Sequence, residues 1–137
     1  MASTSPGDPH IRARRRVLLI VAGLVIVAGL VTHLAGRGPI ADATGDALYA
    51  AMIYLVVAIV FPRAAFWIAG ATALALCTLI ECFQLTGLPE LWAQNFWPVR
   101  LILGVGFDVR DLAAYAVGAC AATLCDFVLE RRRPARA

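Results

Sequence analysis

Four long apolar stretches dominate this sequence and decide in which environment it can fold. They cover residues 17–34, 45–61, 64–85 and 108–129. As a helix of about 1.5 Å per residue, the first measures roughly 27 Å, close to the ~30 Å hydrocarbon core of a bilayer. Charged residues make up only 15% of the 137 residues, whereas soluble domains average about 25%. We therefore predict an all-α integral membrane bundle of four transmembrane helices.

The segments outside these stretches are short, so the sequence predicts a single membrane domain over residues 17–130. Residues 1–16 combine two prolines with a run of arginines, which predicts a disordered basic tail, and residues 131–137 form a second basic tail. A cleaved signal peptide is the alternative interpretation of the first stretch, because residues 41–43 resemble a cleavage site. That site lies well beyond the end of the stretch, which favours a retained span.

The segment at residues 90–106 is apolar but too interrupted to cross a bilayer. It carries Trp92, Phe96 and Trp97, and tryptophan is enriched where the bilayer meets water. We expect this segment to lie on the membrane surface or to enter the outer leaflet and return. The sequence leaves these two arrangements open.

The distribution of arginine indicates the orientation of the bundle. All twelve basic residues are arginine, and nine of them lie in the two tails or at Arg63, which four spans place on one side. The other three are Arg37, Arg100 and Arg110. The positive-inside rule therefore predicts a multi-pass protein of the inner (plasma) membrane with both termini in the cytoplasm. Arginines placed in this way are typical of membrane topology and do not favour nucleic acid as a partner.

Acidic side chains collect at the predicted outer ends of three helices. Glu81 lies about one turn inside the end of the third stretch, and Gln84 shares its face. Asp46 and Asp111 lie near the starts of the second and fourth stretches. An ionisable group within a span costs about 2.5–3.5 kcal/mol at the bilayer centre, so such a group normally faces the bundle interior and a partner. The sequence predicts a polar pocket open to the outer leaflet.

The candidate binding residues share this outer layer. They are Glu81, Gln84, Asp111, Asp46, Tyr115, Arg100 and Tyr49. The alternative is a structural layer, with an ion pair between Arg100 and Glu81 or Asp111, and with Asp46 and Asp108 as helix-capping carboxylates. We identify no catalytic residue, no metal-ligand set and no cofactor-binding motif.

Two further patterns lie in the fourth stretch. Ala114, Gly118 and Ala122 recur every four residues, a spacing that predicts close approach of two helices. Asp126 and Glu130, beside the basic C-terminal tail, are interpreted as surface charges at the inner boundary of the membrane.

Several short motifs follow one another along the chain. They are Gly45–Ala50 (GDALYA), Phe61–Arg63 (FPR), Glu81–Leu85 (ECFQL), Leu103–Phe107 (LGVGF) and Asp111–Tyr115 (DLAAY), followed by Gly118. In this order they resemble a family of small bacterial membrane proteins known as domain of unknown function 2809. The resemblance covers roughly residues 15–130. It implies a fold and a polar layer, with no established activity.

A more distant resemblance is to VanZ-like proteins, which are associated with low-level teicoplanin resistance. Those proteins also have four spans, a Glu-x-x-Gln on the third, and an arginine then an aspartate at the start of the fourth. Glu81, Gln84, Arg100 and Asp111 match that order. VanZ-like chains usually carry asparagine where this chain has Tyr115, and this departure weakens any transfer of the glycopeptide role.

We favour a binding or accessory protein of the cell envelope, whose pocket engages the head group of a membrane lipid or of a lipid-linked envelope precursor. One alternative is an enzyme acting on a lipid head group with Glu81 or Asp111 as general base; no nucleophile is evident, so an enzyme is not favoured. Another is a subunit of an oligomeric transporter, assembled through the Gly118 face. The last is a structural scaffold. The sequence does not define the oligomeric state.

Overall fold

The computed structural model describes residues 9–131, which form six helices and no strand. The helices are α1 (Pro9–Ala35), α2 (Pro39–Val60), α3 (Phe66–Gln84), α4 (Leu88–Asn95), α5 (Pro98–Leu103) and α6 (Val109–Arg131). Four of them, α1, α2, α3 and α6, are long and apolar enough to cross a membrane. The predicted all-α, multi-pass membrane bundle of four spans is therefore confirmed.

Helices α2, α3 and α6 pack against one another, and α1 packs along the outer side of α2. The buried core between them is rich in small side chains, among them Ala58, Ala69 and Ala73, which surround Tyr54. Small residues suit this role because helix association in lipid depends on close van der Waals packing rather than on the hydrophobic effect. Large apolar side chains such as Leu24 point outward, as expected where lipid is the solvent.

Helices α2 and α6 approach each other closely at Gly118. A Cβ atom at this position would collide with the backbone carbonyl of Ala47. Ala114 is buried and Ala122 packs against the core of the same chain. The close approach predicted from this spacing is confirmed. The alternative use of this face as a subunit contact does not fit Gly118, because its partner there is α2 of the same molecule.

Two spanning helices begin earlier than the sequence predicted. Helix α1 begins at Pro9 rather than Val17, so residues 9–16 of the predicted disordered tail are helical, and α2 begins at Pro39 rather than Gly45. Proline suits a first helical position because its fixed φ matches the helix and it needs no hydrogen-bond partner there. The 27 residues of α1 measure about 40 Å, so its basic first turns extend beyond the hydrocarbon core. The remainder of the predicted tails, residues 1–8 and 132–137, lies outside the described residues.

The aromatic segment between α3 and α6 forms the two short helices α4 and α5. Gly87 (φ +71°) turns the chain into α4, and Pro98 starts α5. Both helices pack against α3, and the ring centroids of Trp92 and Phe83 lie 5.7 Å apart. Neither helix is long enough to span a bilayer, as predicted for residues 90–106. The location of this segment at the membrane surface stays a prediction.

Contacts between helix ends define the two ends of the bundle. Arg14 in α1 hydrogen-bonds the carbonyl of Pro62 in the α2–α3 turn and the carboxylate of Asp126 in α6. These elements form what we call the basic end. The start of α2, the end of α3, α4, α5 and the start of α6 form the opposite end, which we call the acidic end. Assignment of the basic end to the cytoplasm stays a prediction.

Candidate functional site

Glu81 is fully buried at the acidic end, with 0% of its surface exposed. Its Oε1 accepts a hydrogen bond from the backbone N–H of Asp108 (2.8 Å), and its Oε2 accepts one from the hydroxyl of Tyr115 (3.1 Å). Asp108 immediately precedes α6, where N–H groups have no partner within the helix and the helix dipole favours a negative charge. Glu81 therefore joins α3 to the first turns of α6.

Two other candidate residues hold the connection between α5 and α6. Gln84 is buried, and its Nε2 donates to the carbonyl of Leu103 (2.7 Å). The hydroxyl of Tyr49 donates to the carbonyl of Ile102 (2.6 Å). Gly104 has a φ of +67° and lies so close to Gln84 that a Cβ atom would collide with its amide nitrogen. Glu81, Gln84 and Tyr49 therefore fix residues 102–108 over the ends of α2 and α3.

One polar atom in this connection lacks a partner. Gln84 is only 8% exposed, and its buried Oε1 accepts no hydrogen bond within the described chain. A buried acceptor without a donor costs free energy because it has given up its hydrogen bonds to water. The acidic end thus presents an unused acceptor beside its carboxylates.

Asp46 and Asp111 face each other across the α2–α6 contact. Their carboxyl groups lie within hydrogen-bonding reach of each other, and both residues are half-buried. Glu81 lies close enough to act on both electrostatically. The structure thus brings together the three carboxylates that the sequence placed at one depth. One turn further into the bundle, the rings of Tyr49 and Tyr115 are 6.3 Å apart.

The arginines of the acidic end do not join this cluster. Arg100 and Arg110 are exposed, and neither forms an ion pair within residues 9–131. The predicted ion pair between Arg100 and Glu81 or Asp111 was therefore wrong. The physical reason is the orientation of the connection, which presents the backbone carbonyls of residues 102 and 103 to α2 and α3.

The predicted capping roles divide between the two remaining carboxylates. Asp108 accepts a hydrogen bond from the backbone N–H of Arg110 (2.9 Å) at the start of α6, as a capping residue does. Asp46 does not cap a helix, because α2 already begins at Pro39 with Gly38 as its capping position. None of the carboxylates of this layer has a cationic partner in the described chain, and Asp46 and Asp111 also receive no hydrogen bond from a backbone N–H or a hydroxyl there.

The carboxylates of the cluster are not arranged as a metal centre. No group of three histidine, cysteine, aspartate or glutamate side chains is placed to hold a metal ion in the described part of the chain. The four cysteines are free, and only Cys77 is buried. What the site offers is hydrogen-bond acceptors with negative charge.

A second polar cluster lies at the basic end and was not predicted from the sequence. Asp126 is only 9% exposed, and its Oδ2 accepts hydrogen bonds from Arg14 Nη2 (2.7 Å) and from the hydroxyl of Tyr54 (2.7 Å). Arg14 also donates to the carbonyl of Pro62 (2.6 Å) and lies 3.5 Å from Glu130. The interpretation of Asp126 as a surface charge was wrong, because the early start of α1 brings Arg14 to it. Glu130 is exposed, as predicted.

Comparison with protein families matches residues 36–119 to the family described as protein of unknown function (DUF2809). The matched segment contains all seven candidate binding residues and ends before Asp126. No curated protein and no solved structure matches the chain. The match covers more than half of the chain and confirms the resemblance found in the sequence motifs. The chain belongs to the DUF2809 family.

Proposed function

We propose that this protein is a cell-envelope binding protein that holds a protonated amine between Asp46 and Asp111. The amine belongs to the head group of a membrane lipid or of a lipid-linked envelope precursor. The observation that carries the proposal is the pair of half-buried carboxylates that face each other without a cation from the described chain. Ionised groups removed from water without a partner are costly, and a bound cation offsets that cost.

The hydrogen-bonding inventory of the acidic end supports an amine over other ligands. Both oxygens of Glu81 and the hydroxyl hydrogen of Tyr115 are already used inside the chain. The groups that remain are the Oε1 of Gln84 and the carboxyl groups of Asp46 and Asp111, and all of them are acceptors when both aspartates are ionised. Their complement is a group with positive charge and several donors, and an ammonium group carries three N–H donors and no acceptor.

The position of the pair supports a lipid head group as the source of that amine. Asp46 lies in the second turn of α2 and Asp111 in the first turn of α6, near the ends of two spanning helices. Helix ends of this kind lie level with lipid head groups. Beside them, α5 and its flanks present apolar side chains such as Ile102 and Trp97, which is 70% exposed. Lipid chains can pack against this surface while the head group reaches the carboxylates.

The same contacts weigh against two alternatives. Glu81, a candidate general base, is fully buried, and both of its carboxylate oxygens are engaged by donors of its own chain. The small-residue face that a transporter subunit would use is occupied by α2. A structural role accounts for Glu81, Gln84 and Tyr49, whose bonds hold residues 102–108. For Asp46 and Asp111 the structural alternative is a proton shared between the two carboxyl groups, which a bound ammonium group would replace.

Native mass spectrometry of the full chain with added phosphatidylethanolamine or phosphatidylcholine tests the proposal. Both head groups are cationic at nitrogen, but only the ethanolamine nitrogen has N–H donors. We expect the protein to retain phosphatidylethanolamine in preference. We expect the double variant Asp46→Asn/Asp111→Asn to bind it about 10- to 100-fold more weakly, since a hydrogen bond to a charged group contributes about 1.5–3 kcal/mol.

The matched control is Glu90→Gln, which removes an exposed carboxylate of α4 at the same end. It is expected to retain the lipid as the unaltered protein does. Equal retention by the double variant and the unaltered protein, or equal loss in Glu90→Gln, would contradict an amine site between Asp46 and Asp111. Helix content by circular dichroism verifies that each variant is folded.

A further inference from the structure

A cavity of about 660 Å³ opens at the basic end, between the first turns of α1, the end of α2 and the start of α3. Its volume lies within the range of roughly 300–1,000 Å³ that is typical of small-molecule sites. Apolar side chains, among them Val57, Val60 and Ile68, line much of it. Arg15 and Arg63 also belong to its walls. The cavity therefore combines an apolar lining with cationic groups.

The cavity lies where the chain leaves the membrane-spanning part of the bundle. Helix α2 ends at Val60 and α3 begins at Phe66, so the turn between them marks the boundary. The apolar lining belongs to the two spanning helices, and Arg15 lies on the basic first turns of α1. A phospholipid has the same layout, with its acyl chains in the hydrocarbon core and its phosphate at the boundary.

The charges around the cavity favour an anion. Asp126 and Glu130 are the acidic residues of this end in the described part of the chain, and both lie against Arg14. Neither of these two acidic residues therefore neutralises the charge of Arg15. Positive groups at this level of a membrane attract anionic lipids.

The orientation of Arg15 suits a phosphate group. Its Nε donates to the carbonyl of Ile59 (3.2 Å), near the end of α2. Carbonyls in the last turn of a helix lack partners within the helix, so this bond also satisfies α2. The bond engages Nε and holds an exposed guanidinium at the cavity. The planar guanidinium group recognises phosphate with two parallel N–H donors.

We infer that this cavity binds one anionic phospholipid, with its phosphate on Arg15 and the start of an acyl chain over Val57, Val60 and Ile68. The site lies at the opposite end of the bundle from Asp46 and Asp111, and it does not depend on the function proposed for that pair. It assigns a role to the first turns of α1, which lie outside the segment matched to the family.

Titration of the full chain in mild detergent with phosphatidylglycerol, followed by native mass spectrometry, tests this inference. Arg15→Gln removes the phosphate-binding charge, and Ala64→Leu narrows the cavity without a change of charge. Both variants are expected to weaken binding of the first lipid by about tenfold or more. The control Arg12→Gln removes an exposed arginine of the same helix that does not line the cavity, and it is expected to change binding less than about twofold.

Three outcomes would overturn the inference. The first is equal weakening by Arg15→Gln and Arg12→Gln, and the second is unchanged binding in a folded Ala64→Leu variant, since either result means diffuse attraction to the arginines rather than a cavity site. The third is displacement of the lipid by glycerol 3-phosphate at equal concentration, since this would assign the site to a free phosphate ester. Ala64→Leu keeps the test decisive if Arg15→Gln does not fold, because it leaves every arginine in place.

Discussion

Replacement of Glu81 by alanine is expected to destabilise the bundle strongly. The substitution leaves the N–H of Asp108 and the hydroxyl of Tyr115 without their acceptor. A buried donor without a partner costs about 1–3 kcal/mol. The Tyr115 hydroxyl bond is buried and the Asp108 bond is partly buried, so we expect the free energy of unfolding to fall by about 3 kcal/mol in total.

The conservative variant Glu81→Gln refines this expectation. Glutamine keeps one acceptor oxygen at the same place and replaces the other by a donor, so one of the two bonds is retained. We expect a loss of about 1–2 kcal/mol, between alanine and the unaltered protein. A graded result assigns the effect to hydrogen bonding rather than to the volume of the side chain.

The assay is unfolding by SDS in mixed micelles, followed by circular dichroism, with the free energy taken from the midpoint and slope. Glu90→Ala is the control, because Glu90 is an exposed carboxylate at the same end, and it is expected to change the stability by less than about 0.5 kcal/mol. If Glu81→Ala behaved like Glu90→Ala, the hydrogen bonds of Glu81 would not hold α3 to α6, and our account of this residue would be refuted.

The same unfolding measurement checks two further expectations. Gly118→Val is expected to lower the free energy of unfolding by about 3 kcal/mol, because the new side chain collides with the backbone of Ala47. The control is Gly29→Ala, where nothing lies nearby. Equal effects of the two variants would mean that α2 and α6 do not approach closely. Asp126→Ala is expected to lower the free energy of unfolding by about 3 kcal/mol, because it leaves Arg14 buried without its main partner. A loss of stability below about 0.5 kcal/mol, which is the scale of an exposed charge, would contradict the buried pair.

The spacing of polar residues within each span predicted most of the polar residues that meet at the acidic end. Glu81 and Gln84 lie three residues apart, which puts them on one face of a helix, and their cost in lipid requires that face to be buried. The starts of the second and fourth stretches added Asp46 and Asp111 at the same depth. The contacts themselves were not accessible in this way: that Glu81 binds a backbone N–H of the α5–α6 connection depends on the path of that connection, which spacing does not determine.

The polar contacts at the basic end could not be predicted, because the residues that form them are far apart in sequence. Arg14 and Asp126 are separated by 112 positions, and Arg14 lies in a segment whose composition is typical of a disordered tail. Once α1 continues to Pro9, the helix itself carries Arg14 to Asp126. The one local signal was the position of Asp126 inside the fourth apolar stretch, where an acidic residue calls for a partner as Glu81 does.

Gly118 shows what a small-residue packing motif can and cannot predict. The small-residue spacing predicted that α6 makes a close helix contact, and it does. The motif carries no information on whether the partner belongs to the same chain, because an intramolecular and an intermolecular helix pair obey the same packing rule. The identity of the partner follows from the topology, in which α2 lies against α6.

The central claim, that Asp46 and Asp111 hold a lipid amine, is tested most directly by a distance measurement. Solid-state NMR can detect dipolar coupling between the ¹⁵N nucleus of labelled phosphatidylethanolamine and the ¹³C side-chain carboxyls of aspartate in the reconstituted full chain. We predict coupling at hydrogen-bonding distance, and we predict its loss in Asp46→Asn/Asp111→Asn with unlabelled asparagine. Absence of coupling in the unaltered protein, or coupling that persists unchanged in the double variant, would contradict the claim.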